Sequence, residues 1–234
     1  MMELDLYHFT LLVTGIVNLT MAAALLYGND SYRDYAVYRR SRLLTAVFFG
    51  VFGIGFLMHY WFQWRTEWPL AATALSVTYF HIGGVAITWS HTSLLNPNYL
   101  SRQVVIRDLS ILIIGVVTYW MFWLPVIFLF HAAWMAFSFY RTYHRVSNRL
   151  IEMKLGTIEG FIHWMLLSCH LIILFGIGSI VFTALLPTAV WPYTVLLCIG
   201  MAVFIYIFYS LSEYGTVIES ATNATEDVAE RSDN

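Results

Sequence analysis

Charge is scarce in this sequence. Only 11% of its 234 residues are Asp, Glu, Lys or Arg, against 59% hydrophobic, and lysine occurs once, at Lys154. An ordinary soluble domain carries roughly a quarter charged residues, so that class is excluded. Basic patches of the kind that bind nucleic acid are missing as well. There are two cysteines, Cys169 and Cys198, both inside apolar runs. They read as small apolar residues and not as a disulfide pair. The N-terminus, MMELDLYHF, carries Glu3 and Asp5 but no basic residue. A cleaved secretory signal begins with positive charge, so the first apolar run is expected to be a retained span. Short alternating strands are absent, which excludes a β-barrel. No HExxH or HxxxH spacing is present.

What is present is seven long apolar stretches, and the positive charge falls in alternate gaps between them. Of twelve Lys and Arg residues, ten lie in the first, third and fifth gaps. These are Arg33, Arg39, Arg40 and Arg42, then Arg102 and Arg107, then Arg141, Arg145, Arg149 and Lys154. The even gaps hold only Arg65, and Arg231 lies near the C-terminus. Lys and Arg are retained on the cytoplasmic side during insertion. The pattern therefore predicts an all-α, polytopic bundle of seven transmembrane helices, with the N-terminus outside and the C-terminus cytosolic. Residues 1–213 form the membrane domain, and 214–234 read as an acidic, disordered cytosolic tail.

A span needs about 20 apolar residues to cross about 30 Å of hydrocarbon. The expected spans are Leu6–Tyr27, Leu43–Trp61, Pro69–Trp89, Leu109–Trp123, Val126–Tyr140, Phe161–Leu186 and Val190–Tyr209. Pro69, Pro125 and Pro192 sit where a first helical turn tolerates a missing N–H. Asp108 and Thr157 occupy candidate N-cap positions. The run from Leu109 to Tyr140 is ambiguous, because one helix of that length would reach about 48 Å. A hairpin at Trp123-Leu124-Pro125 keeps Arg141 to Lys154 on the same side as the other basic residues, so two spans are expected. Trp61, Trp64, Trp68, Trp120, Trp123 and Trp191 fall at the predicted outer ends, as interfacial aromatics should. The halves beginning at Leu6 and Leu109 share no motif, which weakens a repeat-based transporter reading.

Ionisable residues inside a membrane face a bundle interior or a wet cavity. Histidines on the third, fifth and sixth spans therefore mark a candidate cavity, with His81, His131, His163 and His170 the residues to probe. The candidate ligand-binding set is His81, Thr88, His131, Trp134 and His170. Their bland alternative is hydrogen bonding between helices. On the sixth span Glu159, His163 and His170 lie within about 40° of one another around a helix. Glu159 and His163, with His91 from the third span, form a candidate metal set for an ion such as zinc. Glu159 has a competing role, since an acid in a first helical turn is favoured by the helix dipole. His81 and His170, at similar depth, could supply both axial ligands of a haem. No cofactor is required by any of these patterns. Gly50, Gly53 and Gly55 resemble a phosphate loop only superficially; inside an apolar span they read as close helix packing.

Two seven-helix families with this orientation are excluded by residue. Retinal proteins need a lysine in the last span, and Lys154 is outside it. G-protein-coupled receptors carry an acidic-Arg-aromatic triplet after the third span, where this sequence reads Trp-Ser-His-Thr. Three segments carry a different resemblance: Tyr38-Arg39-Arg40-Ser41-Arg42-Leu43-Leu44, Phe52–Trp64, and Thr88-Trp89-Ser90-His91-Thr92-Ser93. They are similar to the membrane region preceding some helix-turn-helix regulators, among the seven-span input modules of bacterial signalling proteins. The resemblance covers about half the chain. It implies a sensor in the bacterial cytoplasmic membrane that relays a small-ligand or proton signal to a cytosolic protein through the basic inner loops. No DNA-binding domain lies in these residues, so direct nucleic-acid contact is not expected. The alternatives are a membrane-embedded haem or metal-dependent enzyme and, after that, a small transporter. The oligomeric state has no signature.

Overall fold

The computed structural model describes residues 2–28, 35–122, 125–152, 156–185 and 189–232. Side chains are described throughout these except at 149–150, 156–161, 180–181, 183–185 and 215–232. The chain is helical, with no strand among the described residues. In order come α1 (Met2–Tyr27), α2 (Ala36–Phe62), the single turn α3 (Trp64–Glu67), α4 (Pro69–Leu95), α5 (Arg102–Phe122), α6 (Val126–Glu152), α7 (Gly156–Leu185) and α8 (Trp191–Ser232).

The proline positions behave as a missing N–H dictates. Pro69 opens α4, and Pro192 stands in the first turn of α8. The Pro125 carbonyl accepts the first bond of α6, from the Leu129 N–H at 3.0 Å. The long apolar run is therefore two helices, and α5 packs against α6. Gln63, at φ 47°, separates α2 from α3 by a single left-handed residue.

Six helices among the described residues are long and apolar enough to cross a membrane: α1, α2, α4, α5, α7 and α8. The exception is α6, where His131, Ser138 and Arg141 dilute the apolar character. The fourth span does not start after an Asp108 cap. It starts at Arg102, where the Ser101 hydroxyl accepts the Val104 N–H at 3.4 Å and the Ser101 carbonyl accepts the Val105 N–H at 3.1 Å. Asp108 lies inside α5 and is wholly buried. By the same extension Arg39, Arg40, Arg42, Arg102, Arg107, Arg141 and Arg145 sit on helix ends and not in loops. Arginine favours helix, and nothing in these segments breaks one. The Thr157 cap lies outside the described side chains. α8 includes the residues expected as an acidic tail, but its described side chains end at Tyr214.

Packing is uneven. α4 is central and touches α2, α3, α5, α6 and α7, whereas α5 touches only α4 and α6 among the described residues. Between α1 and α2, a Cβ on Gly15 would come within 2.8 Å of Leu57, and one on Gly53 within 2.8 Å of Leu19. A Cβ on Gly55 would strike the Tyr79 ring at 2.5 Å. Gly53 and Gly55 thus perform the close packing expected of them, while Gly50 faces open space. The seam is completed by edge-to-face rings: Phe48, Phe49 and Phe52 of α2 meet Phe204 of α8, and Phe52 meets Phe80 of α4. Toward the arginine-rich ends, Ser90 of α4 lies 2.6 Å from the Ser41 hydroxyl and 2.8 Å from that of Thr45, both on α2. The Tyr38 hydroxyl donates to the Leu211 carbonyl of α8 at 2.9 Å.

Candidate functional site

Buried polar atoms in an apolar bundle must find partners, and on the α4–α5–α6 side they find one another. The Asp108 carboxylate is the anchor. Trp89 Nε1–H of α4 donates to its Oδ2 at 2.8 Å, and Arg107 Nε–H donates to its Oδ1 at 2.7 Å. His131 Nε2 of α6 approaches the same Oδ1 at 3.5 Å, long for a hydrogen bond, and has no nearer partner. The other nitrogen, His131 Nδ1, is 2.7 Å from His81 Nε2 of α4. At that distance one imidazole donates and the other accepts. The remaining His81 nitrogen, Nδ1, has no hydrogen-bond partner. Arg107 extends along the Trp134 ring, 5.7 Å from its centroid, and its side chain is 37% exposed. A continuous line thus runs from an exposed arginine through Asp108 and His131 to His81.

His81 also lines a cavity of about 370 Å³ walled by α4, α6 and α7, the three helices the sequence singled out, and by Phe48 and Phe52 of α2 and Phe204 of α8. The expectation of a polar cavity is corrected by its walls. They are chiefly aromatic and aliphatic, and His81, Thr88, His91 and Cys169 are their polar members. His131 stands outside the wall, with Nδ1 on His81 and Nε2 3.5 Å from Asp108. Trp134 is half-exposed beneath Arg107. His170 is exposed; its Nδ1 lies 2.8 Å from the Leu166 carbonyl one turn back, and its ring lies against Tyr140. Of the ligand set, His81 and Thr88 reach the cavity, while His131, Trp134 and His170 do not.

Of the candidate haem pair, His81 Nε2 lies 2.7 Å from His131 Nδ1, and His170 is exposed on α7. In the metal set, Glu159 lies outside the described side chains. His163 is exposed with Nδ1 3.3 Å from the Tyr143 hydroxyl, and His91 is buried in the cavity wall. Among the described residues, no group of three or more His, Cys, Asp or Glu side chains could hold a metal ion.

Arg65, the exception to the charge pattern, is also explained. It is buried at the opposite end of the bundle, its guanidinium 3.4 Å from the Tyr193 ring centroid. Around it, Tyr7, His59, Ser76, Tyr79 and Tyr193 line a small void of about 30 Å³. This arginine packs into protein and so departs from the helix-end arginines of the charge pattern.

Asp108, Arg107 and Trp89 were the residues that sequence reasoning missed as a unit. A signal existed: Ser101 follows the Asn96-Pro97-Asn98 turn and is the better cap, which leaves Asp108 inside the apolar run needing a partner. No protein-family model, curated protein or solved structure matches this chain.

Proposed function

We propose that the chain is a seven-span sensor of a bacterial cytoplasmic membrane, N-terminus outside, that converts a proton or small-ligand event in the cavity into a change at its cytosolic face. The seventh span is α6, which lies alongside α4, α5 and α7 despite its weaker apolarity. The arginine-bearing helix ends form the cytosolic face by the positive-inside bias, and a cytosolic protein reads them.

The carrying observation is that His131 and Arg107 address the same carboxylate oxygen, Oδ1 of Asp108. While His131 is neutral, Arg107 holds that oxygen. A proton taken up at the free Nδ1 of His81 lets its Nε2 proton pass to His131 Nδ1, which reverses the bond between the two imidazoles. His131 then becomes a cation donating to both sides, and its contact with Asp108 tightens. Arg107 loses its share of the carboxylate and is released toward solvent. The other charged or titratable groups near this line are His91 of α4 and Cys169 of α7, both in the cavity wall, and Tyr99, near Arg107.

The test uses accessibility. With Cys169 and Cys198 replaced by Ser, Gln103→Cys places a thiol on the exposed face of α5 beside Arg107. Its labelling rate in inside-out vesicles is expected to rise on acidification in the parent and to stay flat in His131→Gln. An equal rise in both removes the histidines from the mechanism.

A further inference from the structure

Besides Thr88 and Cys169, the cavity wall contains an imidazole that the Asp108 line does not use. His91 is 2% exposed. The imidazole lies near the Ile87 backbone one turn back, and neither of its nitrogens has a hydrogen-bond partner. The imidazole is held edge-to-face by Trp164, 5.2 Å between centroids, and by Phe139 at 6.4 Å, so its plane is fixed. A buried nitrogen left unsatisfied is costly, and a ring this rigid cannot turn away to find a partner. A molecule in the cavity that carries one hydrogen-bonding group would supply it.

The rest of the wall states the shape of that molecule. Seven phenylalanines line it: Phe48, Phe52, Phe80, Phe128, Phe139, Phe175 and Phe204. Space among them is made by the smallest residues on three helices, Gly84 of α4, Ala132, Ala133 and Ala136 of α6, and Gly176 of α7. A Cβ built on Gly84 or Gly176 meets nothing within 4 Å. Bare backbone opposite ring edges suits a flat body, and aromatic side chains gain more from another ring than from a saturated chain. Leu129, Ala132 and Ala133 of α6 and Ile177 of α7 line the cavity and are exposed on the bundle surface, so its mouth is lateral and apolar.

We infer that the cavity binds a planar, ring-bearing apolar molecule with a single hydrogen-bonding oxygen, drawn from the bilayer and held by His91. This rests on the cavity being the ligand site of the proposed sensor, and it is tested by binding alone. The purified full chain in detergent is titrated with 2-naphthol, naphthalene and 1-decanol, following its thermal midpoint. 2-Naphthol is expected to raise the midpoint most, naphthalene less and decanol least. His91→Phe should retain the naphthalene shift but lose about tenfold in naphthol affinity, the worth of one buried hydrogen bond. Ala136→Phe, or Gly176→Leu should the first not fold, fills the cavity and should abolish the naphthol shift. A shift undiminished by filling, a decanol shift equal to that of naphthol, or no naphthol shift in the parent overturns the inference. A naphthol shift without any pH response at Gln103→Cys keeps the site and removes the proton relay. A pH response without a naphthol shift does the reverse.

Discussion

The bundle has two unlike sides. Where α1, α2, α4 and α8 meet, glycines let backbones approach, phenylalanine rings interlock and hydroxyls pair with hydroxyls. Where α5, α6 and α7 lie against α4, there is a cavity, a long 3.5 Å contact and an unsatisfied imidazole. Burial follows the same division: the best apolar window is 56% buried in α4 but 17% in α5. Both sides are built from the same residue types. They differ in where small residues meet a large neighbour and where they meet nothing. A side with unused space and a shared carboxylate can change its arrangement at little cost, while the close-packed side serves as the frame it moves against.

The difference can be broken most severely on the tight side. Gly55→Val drives a branched side chain into Tyr79, and destabilisation of about 3 kcal/mol, measured by reversible unfolding in mixed detergent, is expected. Little change would mean that the α2–α4 seam is looser than its geometry. On the other side, Asp108→Asn keeps the shape but removes the charge that Arg107, Trp89 and His131 address. A loss of about 2 kcal/mol is expected, with the Gln103→Cys pH response abolished. A normal response in that variant would free Arg107 from any role in the switch. Gly176→Ala points the other way: its Cβ enters open space, so about 0.5–1 kcal/mol of stabilisation is expected from helix propensity. The smallest effect belongs to His170→Leu. With His170 exposed and bonded only to its own helix, stability within about 0.5 kcal/mol of the parent and an unaltered pH response are expected. A lost response there would restore His170 to the site.

How much of this was legible depended on which solvent the residues answer to. Apolar runs and proline located the helices, because spanning length and the missing proline N–H act locally. The break at Pro125 and the choice of α4, α6 and α7 as cavity walls followed from those signals and from histidine placement. Facing was not legible. In lipid the outward and inward sides of a helix are both apolar, so α4 and α7 carry no polar–apolar asymmetry to set their rotation. That is why His81 and His170, alike in depth, were paired although one turns to α6 and the other outward. The helix ends were also hidden, because arginines that read as loop residues are good helix formers. Asp108 was misplaced for the same reason: a capping residue and a buried anchor have the same one-letter appearance until the true cap, Ser101, is found.

The histidine line can be observed directly. In full-length protein labelled with nitrogen-15 histidine, a through-hydrogen-bond coupling between one nitrogen of His81 and one of His131 is expected at neutral pH. On acidification both resonances should move together as the donor reverses, and both should be lost as a coupled pair in His131→Gln. Two histidines that titrate separately, with no coupling between them at any pH, would contradict the shared proton on which the proposed switch depends.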